Sequence, residues 1–181
     1  MKNIKIPKER IGILIGSEGN TKKEIEKKTG INLEINSSTG EVLVDDHETE
    51  DPLAGFIVQD IVQAIGRGFS PEKAMKLLNE KYEFYLFDIR DYTGKKTSHV
   101  KRIKARIIGK NGKTKDLLEE ITSSKLSIYG HTIGIISHIE NMPIIKKGIS
   151  MLIRGTPHGR VYQTVEKEMK DLRIRKKLES F

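Results

Sequence analysis

The segment Ile15-Gly16-Ser17-Glu18-Gly19 returns as Ile108-Gly109-Lys110-Asn111-Gly112, 93 residues further on in a chain of 181. A repeat at half the length constrains the fold more than any composition does, because it calls for one structural unit built twice. The surrounding periodicities agree. Each copy opens on an alternating strand, Asn3–Ile6 and then Tyr82–Ile89, followed by a short helix running into the glycines. A polar helix with one apolar stripe comes next, Thr21–Lys28 with Ile25 and Thr114–Thr122 with Leu117, Leu118 and Ile121. Two alternating strands follow, marked by Ile31, Leu33, Ile35 and Val42, Val44 in the first copy and by Leu126, Ile128 and Ile133, Ile135 in the second.

Each copy ends in a long apolar helix, Asp51–Gly66 and Met142–Arg154, stopped by Arg67-Gly68-Phe69-Ser70-Pro71 and by Arg154-Gly155-Thr156-Pro157. Glycine past a helix end and proline opening the next helix are stop and start signals. A linker helix is predicted over Pro71–Glu80 and a charged helix over Gly159–Lys177. The pattern predicts an α+β chain of two β-α-α-β-β-α domains, 1–80 with the linker helix and 81–157, and a C-terminal helix over 158–181.

Charge separates the copies. Residues 1–92 carry a net −4 and residues 93–181 a net +12. Between Lys95 and Lys115 stand nine basic residues and no acid, whereas Thr29–Gly66 holds eight acids and no Lys or Arg. A one-signed basic block attracts phosphate, and the acidic stretch repels a polyanion. No apolar run approaches the roughly 18 residues that a membrane-spanning helix needs. The N-terminal residues lack the apolar core of a secretory signal, so a cytoplasmic protein is expected. Without Cys there is no disulfide framework, thiolate metal site or Cys nucleophile.

Gly109-Lys110-Asn111-Gly112-Lys113-Thr114 ends like a nucleotide-binding P-loop, but that motif requires a glycine at 107, which is Ile107. Gly-x-Gly-x-x-Gly is absent from both copies, so the dinucleotide-binding fold fails as well. A Gly-x-x-Gly turn between two short helices, after one strand and before a strand pair, resembles the KH domain, an RNA-binding module whose glycine loop clamps about four nucleotides by their backbone. One strand before the loop is the type I order. The two copies, together with Ser127–Gly134 and the run Gly155-Thr156-Pro157-His158-Gly159-Arg160-Val161-Tyr162, resemble the archaeal and eukaryotic KH proteins of small-subunit ribosome biogenesis. That resemblance implies single-stranded RNA as ligand, the 3′ region of small-subunit rRNA above all. It also implies as partner the endonuclease that matures this end, or another ribosome-assembly or translation factor.

By matching position, the resemblance assigns RNA contacts to Gly109, Lys110, Asn111, Gly112 and Lys113, with Arg102, Lys104 and Arg106 as flanking charges. Ile103, Ile107, Leu117 and Ile128 are candidates for the apolar groove under the bases, or are ordinary core. Gly16, Ser17, Glu18 and Gly19 form a secondary loop in which a carboxylate faces the phosphate path, so the second copy is expected to be the principal clamp. The first is a weaker binder, a turn kept by ancestry, or a protein contact. A protein-interaction adaptor and a general single-strand binder in RNA turnover are the alternatives. The five His residues form no metal-binding spacing, and the acids Asp45, Asp46, Glu48, Glu50 and Asp51 lie where RNA is repelled. No catalysis, metal or cofactor is expected.

Overall fold

A computed structural model describes residues 2–47, 49 and 51–180, and the chain divides into two compact units, 1–84 and 85–181. In the first, β1 (Lys2–Lys5) is followed by α1 (Lys8–Ile15), α2 (Asn20–Thr29), β2 (Asn32–Asn36), β3 (Glu41–Asp45), α3 (Ala54–Gly66) and the single turn α4 (Pro71–Ala74). The sheet order is β1-β3-β2, antiparallel throughout, with Ile4 opposite Val42 and Leu33 opposite Val44. Period-two alternation turns Leu33, Val42 and Val44 inward, where they are buried with Leu14, Ile25, Val58, Ile61 and Ile65.

Two boundaries differ from the sequence pattern by more than about two residues. The α3 helix begins at Ala54 rather than Asp51, because the Asp51 carboxylate accepts the Leu53 N–H at 2.8 Å and holds these residues in a turn. The linker helix remains α-helical only to Ala74, then tightens into a 3₁₀ turn over Met75–Leu78 that buries Leu77.

The second unit takes in β4 (Tyr82–Asp88) from Tyr85 on, α5 (Arg90–Thr93), α6 (Thr97–Ile108), α7 (Lys113–Thr122), β5 (Lys125–Tyr129), β6 (Thr132–His138), α8 (Met142–Ile153) and α9 (His158–Glu179). Its sheet order is β4-β6-β5. The turn α5 has no counterpart in the first unit. Helix α9 packs on α7 and α8 through Val161, Val165 and Met169, all buried, with Leu172 half-buried beyond them. Steps of four, four and three keep these residues on one helical face.

The duplication persists at the level of single hydrogen bonds. Glu26 Oε1 accepts the Leu33 N–H at 2.8 Å, and Glu119 Oε1, 93 residues on, accepts the Leu126 N–H at 2.7 Å. Thr29 and Thr122 donate to the carbonyls of Ile25 and Leu118. An arginine lock repeats as well, but from different positions. Arg10 donates to the carbonyls of Ile65 (2.8 Å) and Phe69 (2.7 Å), and Arg106 to those of Leu152 (3.1 Å) and Thr156 (2.7 Å). Arg10 stands six residues before its loop glycine and Arg106 three before its own. In each unit a guanidinium satisfies carbonyls at and just beyond the end of the long apolar helix, where the helix dipole is negative.

Candidate nucleic-acid interface

Both glycine loops have the same backbone. Gly16 has φ 76 and ψ 174, and Gly109 has φ 73 and ψ 176, a conformation open to glycine almost alone. A Cβ on Gly109 would stand 2.2 Å from Thr114 Oγ1 and 2.8 Å from Thr114 N, and one on Gly16 would stand 2.4 and 2.7 Å from the same atoms of Thr21. The two helices of each pair therefore approach as closely as they do only because glycine joins them. Inside the loops Glu18 (φ 52) and Asn111 (φ 54) are left-handed. Asn enters that region readily, whereas for Glu it costs about 1 kcal/mol.

The loops differ in what they display. Lys110, Asn111 and Lys113 are exposed around the second, and Ser17 and Glu18 around the first. Facing the second loop is a cationic surface supplied by α6. Steps of 100° per residue place Ile103 and Ile107 on one face, and both are buried in the core. Lys104 and Ile108 occupy one flank of that face, Arg102 and Arg106 the other. The four named apolar candidates therefore sit in different places. Ile103 and Ile107 are core, Ile128 packs half-buried at the core margin of β5, and Leu117 lines a depression beside α9 with Met169 and Arg173. Ile108 was not singled out by sequence, yet it is the half-exposed apolar residue that abuts the loop on the Lys104 flank. Its signal was available, since a residue next to a buried one in a helix is turned 100° from the core.

On the opposite flank lies an open depression of about 440 Å³, lined by Arg102, Ala105, Arg106, Gly109, Lys110, Thr114 and His158. From the run beginning at Gly155, His158 joins the lining, and its neighbours hold two other lining residues. Thr156 receives the Arg106 guanidinium, His158 Nε2 meets the Arg106 carbonyl at 2.8 Å, and the Tyr162 hydroxyl donates to Thr114 Oγ1 at 2.9 Å. On the first unit a larger depression, about 620 Å³, opens on the sheet face. Glu34 and Glu41 line it with Asn3, Asn36, Ser37, Ser38, Ile35 and Leu43. Size favours the first unit and charge the second; for a polyanion charge decides, because two carboxylates raise the potential energy of any phosphate brought there.

At the far end of the second sheet the Arg90 guanidinium, hydrogen-bonded to Asp88 at 2.7 Å, holds that carboxyl well below the usual carboxylate range. His131 Nδ1 lies 3.2 Å from the same carboxylate, and the His131 carbonyl accepts the Ile89 N–H, so the β5–β6 turn is pinned to the end of β4. Among the described residues no three His, Asp or Glu side chains converge as metal ligands. Of the acidic cluster, Glu48 and Glu50 lie outside the described residues, while the carboxylates of Asp45 and Asp51 accept the backbone N–H groups of His47 and Leu53. Among the described residues no helix is long and apolar enough to cross a membrane.

Residues 83–170 match a family model described as the eukaryotic type KH domain (KH-domain type I) in its PNO1 second-domain form, and residues 1–51 match the general KH domain. A KH domain-containing protein of Methanocaldococcus jannaschii is 41% identical over 170 residues, which cover 94% of this chain and 74% of that one. The pre-rRNA-processing protein pno1 of Schizosaccharomyces pombe is 34% identical over 116 residues, 63% of this chain and 48% of that protein. The chain thus spans about half the length of this eukaryotic relative. A solved a/eIF2alpha–aDim2p–rRNA complex from Pyrococcus horikoshii OT3 contains a chain with a TM-score of 0.86 and 46% identity over 94% of each chain.

Proposed function

The chain belongs to the KH-domain family of archaeal Dim2p and eukaryotic PNO1, and from that premise we propose that it binds single-stranded RNA in small-subunit ribosome biogenesis. Its ligand is the 3′ region of small-subunit rRNA, its clamp the glycine loop of the second unit, and it acts by binding rather than by catalysis. The observation that carries this is the pair of loops. They share one backbone, but only the second joins exposed Lys110, Asn111 and Lys113 to a basic residue, Lys104, on the adjoining flank of α6. Backbone N–H groups free of a neighbouring Cβ approach phosphate oxygens, and the lysines add charge-assisted contacts. The rRNA in the related Pyrococcus complex supports the same ligand class.

Bases then lie along the Lys104 and Ile108 flank toward Ile128. The first unit contributes little to RNA affinity and serves a protein contact through its acidic sheet face. The rRNA-maturation endonuclease or a translation factor fits that role, and a/eIF2alpha in the related complex supports the second kind. The site of action is the cytoplasm. Replacing Lys110 and Asn111 together by Asp tests the clamp. Affinity for an oligonucleotide of the rRNA 3′ end should fall more than about tenfold, with the melting profile unchanged, since both side chains are exposed. Retention of affinity within threefold would remove the second loop from the site. Equal affinity of the parent for unrelated single strands would make the protein a general binder instead.

A further inference from the structure

The depression on the Arg102 flank of α6 is not needed to clamp a strand on the Lys104 flank, and His158, from the Gly155–Tyr162 run that marks the sequence, is part of its lining. Its lining is cationic without a single carboxylate: Arg102 and Lys110 are exposed, and Arg106 and His158 are half-buried. Two of these four are already held in place. Arg106 is held by the carbonyls of Leu152 and Thr156, and His158 by the carbonyl of Arg106. Arg102 is exposed on the lining and makes no such hydrogen bond to those carbonyls. Lys110 belongs both to the glycine loop and to the lining, so it stands where a strand leaving the loop would turn the corner.

The first unit offers the contrast. By the 93-residue offset Glu9 stands for Arg102 and Ser17 for Lys110, and, counted from the two Arg-Gly stops, Pro71 stands for His158. One unit therefore has a cationic depression behind its loop, and the other has an acid and two uncharged residues at the same places.

We propose that this depression seats a backbone phosphate of the same RNA strand, beyond the nucleotides held at the glycine loop, with Arg102 and Lys110 as its cationic contacts and the His158 ring, whose Nε2–H donates to the Arg106 carbonyl, as part of its lining. The proposal rests on RNA binding by the second loop and extends it: the footprint on the second unit wraps the end of α6 and exceeds the ~4 nucleotides that one glycine loop clamps. Arg102 supplies a planar fork suited to phosphate, and each added phosphate contact steepens the dependence of affinity on salt.

The test compares two single-stranded RNAs from one sequence, one of about four nucleotides matching a single clamp and one of about ten extending past it on both sides. Anisotropy titrations are run at several salt concentrations with the parent protein and with Arg102→Gln, an exposed substitution that leaves the core untouched. His158→Gln, which keeps a side-chain amide donor for the Arg106 carbonyl, is run as the second variant. Arg102→Gln should leave the short RNA within twofold of the parent, weaken the long RNA about fivefold, and lower its log–log salt slope by about one. His158→Gln should weaken the long RNA more than the short one. Equal losses on both RNAs would assign Arg102 to the loop clamp and overturn the second seat. No loss on either would overturn it too. If the parent binds neither RNA, the clamp itself fails, an outcome distinct from the other two.

Discussion

Replacing Gly109 by Ala separates the architectural demand on the first loop glycine from that on the second. At φ 73 and ψ 176 an alanine is strained by ~1–3 kcal/mol. Its Cβ also lands 2.2 Å from Thr114 Oγ1 and 2.8 Å from Thr114 N, and such overpacking adds a further ~1–3 kcal/mol. Gly112 is left-handed at φ 78 and ψ 2, and the nearest atom to its Cβ is Asp116 Oδ2 at 3.7 Å, so Gly112→Ala costs ~1–2 kcal/mol from backbone alone. In a domain of about 100 residues each kcal/mol moves the melting point by ~4–8 °C. Gly109→Ala should therefore lower the second unit's transition by more than ~10 °C and Gly112→Ala by clearly less, read by scanning calorimetry. Adding Thr114→Ala to Gly109→Ala removes the hydroxyl contact but not the amide contact, so recovery should be partial. An equal loss from the two glycine variants would refute the close-approach reasoning, and full recovery with Thr114→Ala would refute its backbone part.

Further outcomes follow from α9 and from Asp60. Truncation after Gly159 deletes the buried side chains of Val161, Val165 and Met169, worth ~1.5–3 kcal/mol each, and should unfold the second unit at ordinary temperatures as read by circular dichroism. Ending the chain after Leu172 keeps them and loses, among the described residues, only exposed ones, Lys176 with its surface ion pair to Glu140 included, so stability should hold. If Arg173, Arg175, Lys176 and Lys177 reach RNA, that cut also flattens the salt dependence of binding; an unchanged slope limits them to solubility. Burial pushes the Asp60 carboxyl up to about 6, so the folded state holds its proton longer than the unfolded chain does. Its contribution is fully present below about pH 4 and is lost as pH rises through about 6. Asp60→Asn should remove that fall, seen as a flatter denaturant midpoint between these pH values, and an unaltered profile would place the titration elsewhere.

Much of the fold was written in the periodicities. The repeat, the order of elements and the stripe on α9 needed only steps of two and of three to four, because one-sided burial forces apolar residues into those positions. Boundaries were less legible where a side chain competes with the helix, as the Asp51 carboxylate does in holding Leu53 outside α3. The short helix α5 carries no buried residue and so left no apolar pattern to read. Within the site, the loops were legible because glycine spacing reports backbone directly. Assigning sides to α6 was harder. Listing its basic residues together put Arg106 among phosphate contacts, whereas its guanidinium reaches two carbonyls some fifty residues away, a pairing that no local pattern encodes. Counting angles from Ile107 would have separated Lys104 and Ile108 from Arg102 and Arg106.

The arginine lock has a bearing on how such modules diverge. Arg10 and Arg106 grip matching carbonyls, yet when the two halves are aligned on their glycines, Arg10 falls opposite Ile103 and Arg106 opposite Ile13. What descent has preserved is the demand of the acceptors, and the donor has migrated by almost one helical turn. A column-by-column comparison would record two unrelated substitutions at each place and miss the shared role. Grafting one half's first helix into the other would carry its arginine to the wrong place unless the opposing carbonyls moved too. The two copies are thus interchangeable as plans but no longer as parts.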